Sequence, residues 1–229
     1  MVENSEAGTI LNIEKLNVSY PIYEADPVHA LRGIDLKISK GEIIGLVGES
    51  GSGKTTLARS IMQLISQPGR VDSGRIEYDG QDLATLNEKE LRTLRGNDIA
   101  MVIPNPRTEL NPLVTVGMQI ANVARYHLSL PRKEAKAMAL AMLEAVQIPD
   151  PLRRFKAYPH ELSGGMAQRV VMAIALICSP RFIISDDATS GLDVTVQTQV
   201  LELLQDLVQQ QAASMLFITR DIGITAHYC

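Results

Sequence analysis

The sequence predicts an α/β protein, and three observations carry that expectation. Short apolar runs of strand length, at 42–47, 98–103, 182–185 and 214–219, alternate with longer stretches of helical periodicity. Strands separated by helices build a sheet with helices packed against it. The stretch Gly48-Glu49-Ser50-Gly51-Ser52-Gly53-Lys54-Thr55-Thr56 fits G-x-x-x-x-G-K-[ST] and stands between one such strand and a helix. Residues 107–162 carry no strand pattern and are expected to form an all-helical subdomain inserted into the core (1–106 and 163–229).

The elements follow in order. The first eight residues read as a loose tail. Residues 11–18 alternate in period two and read as a strand, which Tyr20-Pro21 is expected to close, because Pro cannot continue a ladder. A loop at 22–27 carries Glu24 and Asp26. A second strand is expected at 30–38, with Leu31, Ile34, Leu36 and Ile38 apolar, and Lys40-Gly41 turns the chain into the third. These strands make an N-terminal antiparallel β region. The helix after the glycine-rich loop runs from Thr55 through Leu57 and Ile61 to Leu64. Turn residues at 67–70 and 72–74 precede a short strand at 75–78 and a hairpin-type turn at Asp79-Gly80. A polar helix is expected at 87–94, then a buried strand broken by Pro104 and Pro106. Helices follow at 116–126 and 131–146, the second with Pro in its first turn. An apolar helix starts at Ser163-Gly164-Gly165 and runs to Cys178. The strand at 182–185 ends in Asp186-Asp187, the helix at 194–211 puts Leu201, Leu204 and Val208 on one face, and no element is expected after 214–219.

The 229 residues suit one domain with a subdomain, and a hydrophobic content of 45% allows a sizeable core. A net charge of −4 argues against a large nucleic-acid footprint, which would be basic. No apolar run approaches the ~18–20 residues that span a bilayer. The acidic start, Met-Val-Glu-Asn-Ser-Glu, lacks the charged-then-apolar order of a signal peptide. Cys178 and Cys229 form neither a disulfide framework nor a metal spacing, which fits a reducing compartment.

Three motifs carry chemistry. In the glycine-rich loop, backbone N–H groups point at phosphates, and the helix N-terminus adds partial positive charge. Lys54 is expected to reach the β- and γ-phosphates and Thr55 to hold Mg²⁺. Such a site next needs an apolar strand ending in an acid, and Asp186 supplies it as a second Mg²⁺ group. Leu162-Ser163-Gly164-Gly165-Met166 offers a Ser-capped helix start with little steric bulk, suited to an anion.

Together these residues resemble the ATP-binding subunits of ABC transporters. The glycine-rich loop is similar to Walker A, 183–187 to Walker B, 162–166 to the signature motif, and Ser190-Gly191-Leu192-Asp193 to the D-loop. The resemblance implies a P-loop NTPase (RecA-like) core. It places Tyr20 where the family stacks an aromatic ring on adenine, with Ala30 in the same pocket. Met166 in the signature, and the stretch at 105–112 (similar to "DPMTSLNP"), resemble the oligopeptide/dipeptide/nickel branch of importers. Two such domains meet head to tail, each ATP lying between one Walker A and the other signature helix. The implied partners are a second ATPase subunit, two membrane permease subunits and an extracytoplasmic solute-binding protein, with no nucleic acid. The implied location is peripheral, on the cytoplasmic face of the plasma membrane. The family usually continues past the position of Cys229, so a C-terminal truncation is expected.

Four positions depart from the family pattern. Pro104 stands at the Q-loop Gln, Asp187 at the general-base Glu, Ala188 at the following Pro and Arg220 at the switch His. Asp matches Glu in basicity but falls short in reach by roughly one C–C bond, about 1.5 Å. Pro104 has no side-chain amide, and Arg220 is a donor that cannot take a proton. The departures imply a chain that binds Mg·ATP, hydrolyses it slowly or not at all, and completes a partner's site in a heterodimer. The alternative is a regulatory or structural nucleotide-binding module outside any transporter. A kinase or GTPase would share the phosphate loop but leave Ser163–Met166 unexplained.

Overall fold

The computed structural model describes residues 8–228. The start of the chain expected as a loose tail lies, apart from Gly8, outside them.

Two four-stranded sheets form the frame. β1 (Thr9–Ile22), β2 (Ala25–Ser39), β4 (Arg70–Tyr78) and β5 (Gln81–Asp82) make an antiparallel sheet in the order β2-β1-β4-β5. β3 (Ile43–Val47), β6 (Ile99–Val102), β7 (Phe182–Asp186) and β8 (Ser214–Thr219) make a parallel sheet in the order β3-β8-β7-β6.

β7 and β8 are buried throughout, β6 nearly so and β3 at the sheet edge half-buried, and period two divides their side chains between two cores. Ile184, Leu216 and Ile218 pack with α1 (Lys54–Ile61) and the antiparallel sheet. Ile183, Met215 and Phe217 face the opposite way, into a core shared with helices from both the core and the subdomain. Between β5 and β6 lies α2 (Glu88–Leu94), started by a capping box between Asn87 and Glu90. The inserted segment contains α3 (Pro106–Glu109), α4 (Val116–Leu128), α5 (Arg132–Ala145) and α6 (Pro151–Arg154). α7 (Gly164–Leu176) runs through the second core and α8 (Val194–Gln210) lies against it. α9 (Ile222–Tyr228) follows β8.

Several expectations are corrected. β1 runs through Pro21 instead of ending before it. Beyond Ser19 it pairs with β2 alone, and the register shifts between Tyr20 and Ile22, so Pro21 sits at a bulge on a one-sided edge where its missing N–H costs no ladder bond. The loop expected at 22–27 shrinks to a tight turn at Tyr23-Glu24, with Glu24 left-handed (φ 56°). β4 starts at Arg70, because the turn-like residues Asp72-Ser73-Gly74 are absorbed as a ladder irregularity against β1. The chain does not stop without an element after β8, since Asp221 accepts from the backbone N–H of Gly223 and opens α9. The short helix α6 was not expected either.

One cluster ties the two sheets together. Arg181, just before β7, donates from Nη1 to Asp79 Oδ2 at 2.7 Å and from Nε and Nη2 to the Asp98 carboxylate at 2.8 and 2.6 Å. Its guanidinium lies 5.7 Å from the centre of the Tyr78 ring. Lys40 and Arg181, in that order of effect, hold the Asp79 carboxyl below its ordinary value.

Candidate functional site

The C-terminal ends of β3 and β7 open onto a cleft of about 740 Å³, the place where parallel α/β sheets gather ligands. The loop leaving β3 builds one wall, and Ser50 through Thr56 line it. Gly51 and Gly53 adopt φ of 83° and 93°, which L side chains rarely tolerate. At Gly53 a Cβ would also meet the Ala30 carbonyl oxygen at 2.5 Å. That close approach brings Ala30, on β2, to the cleft edge.

Lys54 folds over its own loop. Its Nζ donates to the carbonyls of Gly48 and Glu49 at 2.7 and 2.6 Å and to Ser52 Oγ at 3.1 Å. Gly48 and Glu49 therefore act through main-chain oxygens, behind the lining.

Asp186 ends β7 in the middle of the sheet, 3% exposed. Burial pushes its carboxyl above the ordinary value, against a hydrogen bond with Thr55 that lowers it. Two hard oxygen donors thus meet at the mouth of the loop. Among the described residues no group of three or more His, Cys, Asp or Glu side chains could hold a metal alone. A cation held by Thr55 and Asp186 would fill its shell with water and phosphate oxygens, as Mg²⁺ does at phosphate sites.

Pro104, Asp187 and Arg220, three of the four departures, line this same cleft. Pro104 follows β6 and offers no polar side-chain atom. Asp187 is left-handed (φ 47°) and pinned by its backbone: its N–H donates to Ile218 O and its carbonyl accepts from Ser190 N, both at 2.9 Å. Its carboxylate forms an ion pair with Arg220, Nη2 to Oδ2 at 2.8 Å. The same Nη2 donates to Ser190 Oγ at 3.0 Å. Ala188 is buried in the core shared with α7 and α8.

Ser163–Met166 lie elsewhere. Ser163 Oγ accepts from Met166 N at 3.3 Å and caps α7. Ser163, Gly164, Gly165 and Met166 line a separate cleft of about 420 Å³ with the 191–193 loop. A Cβ on Gly165 would stand 2.6 Å from Val196 Cγ1, so any larger residue there would have to displace that side chain of α8. Gln168, buried on α7, donates to Ile103 O at 3.3 Å and links this helix to the loop of Pro104.

Tyr20 is not among the residues that line this cleft; its ring packs on Gly69, where any Cβ would collide with it. Its cross-strand neighbour Val28 lines the cleft instead, followed along β2 by His29, Ala30, Arg32 and Ile34. Asn105, left-handed at φ 61°, also lines the cleft beside Pro104. Sequence reasoning named Ala30 but missed Val28, His29, Arg32, Ile34 and Asn105. Only the alternation of Val28, Ala30, Arg32 and Ile34 on one strand could have pointed to them.

A family model described as ABC transporter matches residues 31–190. The dipeptide transport ATP-binding protein DppD of Escherichia coli (strain K12) is 43% identical over 217 residues, which cover 95% of this chain and 66% of that protein. The oligopeptide transport ATP-binding protein OppD of Bacillus subtilis (strain 168) is 43% identical over 219 residues, 95% of this chain and 61% of that protein. The chain thus spans less than two thirds of either relative's length. Among solved structures, the dimeric structure of MJ0796, a bacterial ABC transporter cassette, aligns with a TM-score of 0.84 at 26% identity, covering 95% of this chain and 90% of that one. CbiO1 from Clostridium perfringens, part of the ABC transporter complex cbiONQ, aligns at 0.79 and 28% identity over 96% and 82%.

Proposed function

The chain belongs to the ABC transporter family and has the fold of an ABC ATPase cassette. From that membership we propose that it is the ATP-binding subunit of an importer for peptides or similar small solutes, metal chelates and nickel included. On this reading it binds Mg·ATP with an impaired site of its own and lends Ser163–Met166 to a partner subunit that hydrolyses ATP. The relatives' names, dipeptide and oligopeptide transport ATP-binding proteins, support the importer branch. Those names also support permease partners at a membrane surface. Among the described residues no helix is long and apolar enough to cross a membrane.

The observation that carries the impaired site is the Asp187–Arg220 ion pair inside an otherwise complete phosphate cleft. A general base must present a free lone pair to water, and here one of the two carboxylate oxygens is taken by a guanidinium that never loses its proton, which lowers the basicity left at the other. The backbone nest of 50–54 and the α1 N-terminus would hold the phosphates, and Lys54 would exchange loop carbonyls for phosphate oxygens. Thr55 and Asp186 would hold Mg²⁺, which when bound neutralises charge on the β- and γ-phosphates. Pro104 positions no water. The separation of the Ser163 cleft from the Lys54 cleft within one chain supports a second subunit facing each.

The test is ATP turnover by the assembled complex. Ser163→Arg in this chain should abolish most turnover, because it blocks the partner's site. Lys54→Ala in this chain should leave more of it. Turnover that survives Ser163→Arg would remove the division of labour.

A further inference from the structure

We propose that His127 is a proton-sensitive latch between the inserted helical subdomain and the core. Neutral, its ring rests on the turn that opens β6. Protonated, it leaves that turn, and the cleft between α2 and α4 widens. The latch shares no lining residue with the phosphate cleft.

His127 stands in the last turn of α4. Earlier on the helix, Ile120, Ala121 and Ala124 are buried in the core that α4 shares with α7. The His127 end meets the chain at Gly96 instead. Gly96 has φ 82°, and a Cβ there would stand 2.8 Å from His127 Nε2, so the imidazole lies on bare glycine backbone. The Gly96 N–H donates to Ile99 O at 2.8 Å and closes the turn into β6, the strand that leads to Pro104.

The surroundings suit a neutral ring. Tyr126 meets it edge-on, with ring centres 4.9 Å apart. Among the described residues His127 has no hydrogen bond or ion pair. Both rings line a cleft of about 540 Å³ that faces α2 and the residues just after it. The charged groups there are Glu88, Lys89 and Arg92, with Thr93 and Asn97 as neutral polar neighbours. Glu88 is the one carboxylate in the lining, and Arg92 Nε holds it at 3.3 Å and Arg95 Nη1 at 3.0 Å. An imidazolium would find two cations and an acid already shared between guanidiniums. Partial burial of the ring also pushes its pKa below the ordinary value near 6.5. In a widened cleft the ring returns to water and to that ordinary value. The seated form is therefore fully favoured above about pH 6.5. It loses up to about tenfold per pH unit as pH falls from there to the depressed value.

Hydrogen–deuterium exchange of the chain tests the latch, read by mass spectrometry at pH 7.4 and 5.6 and corrected for the chemical pH dependence of exchange. Peptides over 88–99 and 120–128 should exchange about threefold to eightfold faster at pH 5.6. His127→Gln is neutral at both pH values and should show equal corrected rates. The assigned His127 ring signal of the unmodified chain should titrate by NMR with a midpoint below about 6.5, a measurement that needs no variant. Equal rates at the two pH values in the unmodified chain refute the latch, as does an acid-induced rise that persists in His127→Gln. A midpoint at or above about 6.5 refutes it too, because the proton would then hold the ring on its seat instead of expelling it.

Discussion

Arg181→Ala should loosen the junction of the two sheets without touching the nucleotide cleft. Its guanidinium makes a two-pronged bond to Asp98 and a single one to Asp79, and it covers the Tyr78 ring. The side chain is 49% exposed, and its partners are 33% and 21% exposed, so each ion pair is partly screened. Exposed pairs contribute about 0.2–1 kcal/mol each, and a cation over an aromatic ring about 0.5–1 kcal/mol. The sum is about 0.9–3 kcal/mol. For a chain of this size about 1 kcal/mol moves Tm by ~2–4 °C, so the variant should melt about 2–12 °C lower at pH 7. The pH dependence has a fixed sign. Asp79 is held below its ordinary value, so its contribution is complete above that value, near 3.8, and is lost as pH falls through the depressed one. The Tm gap between wild type and variant should therefore be constant from pH 5 to 7 and narrow below about pH 4, where the Asp79 part is lost and the ring contact remains. It should also narrow in 1 M salt. Differential scanning calorimetry over that range reads both effects. Arg181 precedes β7 at the end opposite Asp186, so nucleotide affinity should not change. A pH 7 Tm within 1 °C of wild type would refute the clamp.

Other substitutions probe the cleft and core. Gly53→Ala forces a side chain into φ 93° and against the Ala30 carbonyl, so nucleotide affinity by titration should fall more than about tenfold while far-UV circular dichroism is retained. Burial pushes the Cys178 thiol up to about 11, so at pH 8 maleimide labelling should be slow in the folded chain and fast once urea unfolds it. Asp187→Glu alone should raise ATP turnover of the complex by less than about twofold, because Arg220 still occupies the carboxylate and Pro104 still offers no amide.

The core strands were legible because they are short, apolar and punctuated. β8 matches its expected bounds, and β7 extends the expected 182–185 by Asp186, the acid expected to close it. The antiparallel sheet was harder. Asp72-Ser73-Gly74 look like a turn, yet Gly74 sits in β4 with φ 98° and backs onto Leu16, where a Cβ would clash with main chain. Local composition could not separate a turn from a bulged strand, because both use glycine at positive φ. The phosphate loop was legible because its chemistry is contiguous. Apart from Ala30, which the family resemblance placed there, the β2 wall of the cleft was not, because Val28 and Arg32 reach it only once β2 folds over Gly53.

The departures around the cleft form one physical unit. Arg220 brings a permanent charge to the rim, and such a charge needs a counter-ion within a few ångströms or open water. Asp187 is that counter-ion at 2.8 Å. A longer acid would reach further into the cleft while its guanidinium partner stayed anchored to Ser190. A proton acceptor at position 220 without the change at 187 would leave the acid short of its water. Pro104 completes the set from the opposite wall: its loop is joined through Ile103 to Gln168 of the buried helix α7, and so to the helix that Ser163 caps. On the proposed reading, that hydrogen bond joins the cleft to the capping helix, so such a site would keep a link between nucleotide and partner while lacking the atoms that move a proton.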